Sequence, residues 1–377
     1  MKAISIVSVF FVLFASLVLI LTQATGTSGA ADKMYWVDSG TDKVQRANLD
    51  GTGVEDLVTG LFVPTGISLA VAGGKMYWTD YGVGKIQRAN LDGTSVEDLI
   101  TSGLSEPRGI EIDVAGGKMY WADRGNQKIQ RANLNGTSVE DLVTSGLSLP
   151  RGISLDPSGG KMYWTDEGTK KIQRANLDGT NVEDLVTTGL DVPTGIDVDV
   201  LGGKIYWTDT GLDKIRRANL NGTSVEDLVT SGLIENRDIA VDGVGGKMYW
   251  TDNGSNKIQR ANLNGSSVED LVSTGLQTPD GIDIDVPQVP PSTPTPSPSP
   301  SPTPSPTPTP TPSPTPTATP PGAPVGGVVD LERGGTAPSA AETGTGAPPY
   351  GALAGAAAGA VVLGAAAWYV RRRFSGG

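Results

Sequence analysis

Between Lys161 and Gly203 the chain offers four short runs that are apolar or alternate apolar with polar positions: KMYWTD, KIQRANL, VEDLVTTGL and GIDVDV. An EGTK turn, a DGT step, a Pro-Gly step and a GG pair separate them, a layout that predicts four strands. Between KIQRANL and VEDLVTTGL the Asp-Gly step predicts a tight hairpin, since both residues tolerate positive φ. One such unit is therefore expected to fold as one four-stranded antiparallel sheet. In the KMYW run Met162 and Trp164 point to one face and Tyr163 to the other. A sheet this small cannot bury both faces alone, so it needs a neighbour on each side.

The unit recurs. Tetrapeptides of the form YWxD place tryptophan at Trp36, Trp78, Trp121, Trp164, Trp207 and Trp250, 42 residues apart once and 43 thereafter. A fixed period of this size marks a repeat architecture. Radial stacking of six sheets gives each one two neighbours, and the predicted fold is an all-β, six-bladed β-propeller of four-stranded antiparallel blades. The array begins at KMYW and ends at GIDIDV, residues 281–286. That last run is expected to complete the blade begun by residues 33–61 and so to tie the two ends together.

The motifs YWTD, KIxRANLDG and PxGIxxD resemble the YWTD, or class B, repeats of the low-density lipoprotein receptor family over Lys33 to about Val286. The resemblance implies a six-bladed propeller with the tryptophans buried between blades. It also implies that the motif aspartates, Asp38, Asp80, Asp123, Asp166, Asp209 and Asp252, tie down neighbouring backbone or side chains. Animal members set their propellers beside cysteine-rich modules, whereas this chain has no cysteine.

Outside the repeats the composition changes. Residues 1–31 open with Met1-Lys2, an apolar run from Ala3 to Leu21 and then small residues, and read as a signal peptide; an uncleaved anchor is the alternative. Residues 287–349 form a Pro/Ser/Thr-rich stalk and linker, whose proline-rich part at about 3.1 Å per residue reaches on the order of 100 Å. Residues 350–370 are apolar, rich in Ala and Gly, and of membrane-spanning length. The tail, residues 371–377, opens with three arginines that predict a cytoplasmic end. The domain order is thus signal peptide 1–31, propeller 32–286, stalk 287–349, transmembrane helix 350–370 and basic tail 371–377, an exported protein held at the cell surface by a single pass.

Charge narrows the partners. Residues 32–286 carry 24 Lys and Arg against 38 Asp and Glu, a formal −14, so nucleic acid, which needs a basic footprint, is not an expected partner. The absence of His and Cys from the chain excludes Ser-His-Asp triads and cysteine nucleophiles, and no catalytic residue is expected. No metal site is expected either: no EF-hand loop is present. Calcium stays open only through Glu111, Asp197 and Asp283, should they converge on the channel axis.

Comparison of the six copies with one another locates the variation. The loop after YWTD reads SGTD, YGVG, RGNQ, EGTK, TGLD and NGSN; the segment before the last strand reads FVPTG, SEPRG, SLPRG, DVPTG, IENRD and QTPDG. In a propeller these loops share one face around the channel mouth, and a constant scaffold with a variable rim is the pattern of a binding module. The candidate ligand-binding residues are Tyr81, Arg124 and Glu167 from the first loop and Arg108, Arg151, Arg237 and Asp280 from the second. Arg108, Arg151 and Arg124 are expected to form a local basic patch suited to a carboxylate-bearing peptide or an anionic glycan, and truncating Arg108 or Arg151 is expected to leave the melt unchanged. The function expected is a cell-surface binding or adhesion module for an extracellular protein or glycan. A channel-based metal-dependent lactonase or hydrolase and a structural envelope spacer are the alternatives.

Overall fold

A computed structural model describes residues 32–286, which form six four-stranded antiparallel sheets arranged as a closed ring. In the fourth blade the strands are, from the axis outward, Pro150–Asp156, Lys161–Asp166, Lys171–Asn176 and Glu183–Val186. The other blades repeat this order. In the first blade the innermost strand comes from the far end of the chain: Pro279–Asp285 pairs antiparallel with Lys33–Asp38, setting Tyr35 opposite Asp283 and Trp36 opposite Ile282. The sequence expectation of six blades closed by the last strand holds in this arrangement. The signal peptide, stalk, transmembrane helix and basic tail lie outside the described residues. No helix among the described residues is long and apolar enough to cross a membrane.

Strand limits differ from the sequence reading in two places. Five of the six innermost strands begin at the proline and the other at Asn236, two residues early, with a bulge between residues such as Pro193 and Ile196. There the ladder is interrupted, and the amide of Gly195 donates instead to Thr208 Oγ1 at 2.8 Å. The outermost strands are shorter than VEDLVTTGL, spanning only Glu183–Val186 in the fourth blade, because Gly189 turns the chain away at φ +70°. The Asp-Gly turns also differ in detail. Gly179 takes φ +83° while Asp178 keeps an ordinary φ; the Asp178 carboxylate accepts from the Thr180 amide at 3.0 Å and its hydroxyl at 2.6 Å, fixing the turn from its side chain.

The core is a set of layers between blades. Met162 and Trp164 pack with Tyr120, Ile129 and Val143 of the third blade, while Tyr163 packs with Ile196 and Trp207 of the fifth. All six motif tryptophans are fully buried. Trp164 Nε1 donates to Gln173 Oε1 at 3.0 Å, Gln173 Nε2 to Asp184 Oδ1 at 2.7 Å, and Lys171 Nζ to Asp184 Oδ2 at 2.7 Å, a relay from core to surface. A second relay joins blades: Arg174 Nη1 donates to the Leu220 carbonyl of the next blade at 3.0 Å. The last of these clamps, Arg260 to the Leu49 carbonyl at 3.1 Å, runs from the sixth blade back to the first.

Candidate functional site

The motif aspartates set the rim. Asp166 accepts from the amides of Ser148 and Leu149 in the segment before the innermost strand and from Thr169 in the loop that follows its own strand. Asp38 does the same across the chain ends, accepting from Gly40, Thr41 and Gln277. Each carboxylate thereby ties one variable loop to the other on the same face. The motif threonines act one layer deeper: Thr79 Oγ1 accepts from Gly66 N and donates to the Arg108 carbonyl of the next blade.

This scaffold brings the second residues of the innermost strands, Thr65, Arg108, Arg151, Thr194, Arg237 and Asp280, to one level at the channel mouth. The next position is glycine in five blades, for a steric reason: a Cβ on Gly109 would lie 2.7 Å from the Arg151 carbonyl oxygen. Asp238 alone breaks the rule, and its carboxylate reaches the next blade, accepting from Ile282 N at 3.1 Å.

Six of the seven candidate residues join one contact network across the mouth. Arg124 donates to Glu106 Oε2 at 2.8 Å and to Glu167 Oε2 at 3.2 Å; Arg151 pairs with Glu167 and reaches Asp280 Oδ1 at 3.5 Å. Arg108 stacks its guanidinium 4.4 Å from the Tyr81 ring centre. Its nearest acidic oxygen, Asp280 Oδ2, is 3.7 Å away, beyond hydrogen-bond reach, and Nε has no partner. Arg237 holds only Glu235, at 3.4 Å, and touches the network electrostatically through Arg151.

The expected basic patch is corrected here. Glu106, Glu167 and Asp280 interleave with the arginines, and Arg151 is only 8% exposed, so the mouth is a charge-alternating plug. Truncating Arg151 is accordingly not neutral, since it would leave Glu167 with Arg124 alone and Asp280 with only the more distant Arg108. Burial works against the Glu167 carboxylate, but Arg151, Arg124 and Arg108 outweigh it and hold its pKa at about 2. Burial, then Arg151 and Arg124, bring Arg108 down to about 10. Arg108 is thus a poorly compensated cation, with no carboxylate oxygen in hydrogen-bond reach. Glu106, Glu235 and Asp238 escaped the sequence reading. The break of Pro-x-Gly to Asn236-Arg237-Asp238 is the signal that marks the last of them.

Beneath the plug the channel widens into a cavity of about 990 Å³, lined from the glycine level to the opposite face. Glu111, Asp197 and Asp283 do face it, at the level set by Tyr120, Tyr206 and Tyr35 of the adjoining strands. Asp197 accepts from Val198 N, Val241 N and Ser154 Oγ, and Asp283 from Ile284 N and Leu69 N. These carboxylates satisfy amides on the open inner edges of the strands. No group of three or more carboxylates among the described residues is disposed to hold a metal ion. Burial, and then the neighbouring carboxylates, push Asp283 up to about 8 and Glu111 well above its ordinary range.

Known proteins share this architecture. A chain of the crystal structure of a nidogen/laminin complex is 27% identical and superposes with a TM-score of 0.64 over 68% of this chain and 99% of that one. A putative TolB from Agrobacterium tumefaciens is 16% identical, with a TM-score of 0.52 over 64% of this chain and 88% of that one, and shares the fold alone. No curated protein matches the chain. Five stretches, residues 74–114, 117–157, 160–200, 203–242 and 246–286, match the low-density lipoprotein receptor repeat class B. The remaining copy, with strands from Lys33–Asp38 to Pro64–Ala70, opens the array, and Pro279–Asp285 from the last matched stretch completes its blade; the chain belongs to the family of low-density lipoprotein receptor class B repeat propellers.

Proposed function

We propose that this propeller is a binding module whose variable rim takes an extracellular protein ligand through carboxylate groups. The observation that carries the reading is Arg108: a guanidinium stacked on Tyr81 at the channel mouth, with its nearest carboxylate oxygen at 3.7 Å. A cation held in place but short of hydrogen bonds is prepared for a bidentate carboxylate from outside. Stacking on an aromatic ring fixes its plane without using its donors. The solved relative in a nidogen/laminin complex supports a protein partner over a glycan.

Chain direction adds to this reading. Lys33–Asp38 begins, and Pro279–Asp285 ends, on the face opposite the rim. The described chain thus enters and leaves the propeller on the side away from the rim, so neither end covers the proposed ligand face. On this account the chain is exported, has no catalytic role and needs no cofactor. A calcium-dependent hydrolase would require cation ligands from several blades meeting at one point.

Capture from envelope extract and secreted proteins tests the proposal. The full-length chain should retain a partner that the double variant Tyr81→Ala/Arg108→Gln loses, with both proteins melting within a few degrees of each other. Equal capture by the two would contradict it. A partner released by an anionic glycan and not by an acidic peptide would move the reading to glycan binding.

A further inference from the structure

The hairpin turns between the third and fourth strands of the blades carry a chemistry that ligand binding does not use. Three of them are built on Asp-Gly and three on Asn-Gly, at Asn135, Asn221 and Asn264, and the residue before the glycine is exposed in all six. These turns share the face of the open channel mouth, outward of an apolar collar in which Val71, Val114, Val200, Leu201 and Val244 line the cavity and stand exposed. The ring itself imposes the glycine. Gly136 has φ +83°, and a Cβ there would strike the Leu99 carbonyl oxygen of the preceding blade; Gly222 stands the same way against Leu185 and Gly265 against Leu228.

A glycine after asparagine leaves its backbone nitrogen unshielded, and Asn-Gly is the step at which a chain most readily closes to a succinimide. The glycine nitrogen attacks the asparagine Cγ, an N–Cγ bond forms, the Cγ–Nδ2 bond breaks, and ammonia leaves with the amide proton. Water then opens the ring to aspartate or to isoaspartate. In the third blade every atom of this reaction is engaged. Gly136 N donates to the Asn133 carbonyl at 2.8 Å. Asn135 Oδ1 accepts from the Thr137 amide at 3.2 Å and its hydroxyl at 2.7 Å. The Thr137 hydroxyl oxygen accepts in turn from Asn133 Nδ2 at 2.9 Å, and Asn133 Oδ1 from Lys118 Nζ at 2.7 Å, which anchors the turn to the second strand of the blade. The turns at Asn221 and Asn264 repeat these bonds.

We propose that Asn135, Asn221 and Asn264 are latent deamidation sites, each held closed by the hydroxyl residue two positions on, and that Asn264 is the first to convert. At Asn264 that residue is Ser266, which lacks the β-branch that restricts the side-chain torsion of Thr137 and Thr223, so its hydroxyl leaves the amide more easily. The aspartate product fits the turn, because Asp178 already accepts the same two bonds in the fourth blade. Isoaspartate does not fit, since it adds an atom to the backbone of a turn whose ends are joined from Asn262 N to the Ser266 carbonyl at 2.9 Å. Each conversion to aspartate adds one negative charge on the collar face, away from the rim.

Peptide mass spectrometry of the full-length chain, incubated in mildly alkaline buffer with and without urea, tests the proposal. All three asparagines should convert at least about tenfold more slowly in the folded chain than in the unfolded one, and Asn264 should be the least slowed. Thr137→Val keeps the shape of the side chain and removes the hydroxyl. It should speed conversion of Asn135 about fivefold and leave Asn221 and Asn264 at their own rates, which serve as internal controls for folding. Ser266→Thr should slow Asn264 to the rate of the other two. Folded rates equal to the unfolded ones, an unchanged Asn135 rate in the Thr137→Val protein, equal acceleration of all three sites by that substitution, or Asn264 slowed more than Asn135 and Asn221 would overturn the proposal.

Discussion

Trp164 shows what a repeat position contributes when its environment is complete. It is fully buried against the third blade and its indole nitrogen donates to Gln173. Trp164→Ala should cost about 3 to 5 kcal/mol in chemical denaturation; a loss under about 1 kcal/mol would contradict its place in the inter-blade layer. Trp207 is the exception among the six. Its glutamine is replaced by Arg216, the Trp207 nitrogen has no partner, and Arg216 turns to Asp227 and the Gly189 carbonyl. Arg216→Gln should restore the missing hydrogen bond and leave stability equal or higher by about 1 kcal/mol. A loss beyond about 1 kcal/mol would show that the Arg216 contacts outweigh the indole bond. Arg151→Ala should destabilise by up to about 3 kcal/mol, because it removes one cation from two carboxylates that are about nine-tenths buried and leaves them Arg124 and the more distant Arg108; an unchanged melt would contradict the plug. The tryptophan layer was legible in the sequence because the period repeats it. The plug was not. Glu167 and Asp280 lie 16 and 129 residues from Arg151, and only the closed ring brings them together.

At the scale of elements, the runs of the repeat foretold the strands well in kind and less well in extent. Alternation and turn residues mark where a strand exists, but the bulge at Pro193 to Ile196 depends on a threonine hydroxyl from the neighbouring strand, a partner that local pattern does not reveal. The outermost strands are four or five residues long and begin with Glu-Asp. Short, charged edges of this kind discourage pairing with another chain. The closing strand is the one element whose partner is remote in sequence, and it carries the ring. Removing residues 281–286 exposes the inner edge of Lys33–Asp38 along its pairing from Lys33 to Trp36. The melting temperature should fall by more than about 10 °C, measured by scanning calorimetry. An unchanged melt would mean that the clamp from Arg260 to Leu49 holds the ring without the strand.

The whole molecule is a ring with two unlike ends to its channel, one plugged by ion pairs and one open through an apolar collar. This polarity bears on pH. Asp238 and Asp283 are raised to about 7 and about 8, burial being the main cause, whereas the same groups in the unfolded chain titrate near 4. Between about pH 4 and pH 8 the folded protein therefore holds protons that the unfolded chain has lost, and stability falls as pH rises through that window. Glu111→Gln, which removes one of the mutually repelling carboxylates, should raise the melting temperature near pH 8 and change it little near pH 4. Equal shifts at both values would mean that the carboxylates do not interact across the channel. The six-bladed plan followed from the count of copies, but the alternation of Asp283, Glu111 and Asp197 with Ser68, Ser154 and Ala240, all opposite motif tyrosines, becomes visible only once the copies are placed in ring order.

The central claim, that ligand binds at the variable rim, is tested most directly by crosslinking from defined faces of the intact protein. A photoreactive phenylalanine analogue would be placed singly at Tyr81 on the rim, at Val182 on the outer edge and at Val200 on the collar, and the products identified after illumination on cells. The account predicts a protein adduct from position 81 and none from positions 182 or 200. Adducts from the edge or the collar with none from position 81 would contradict it.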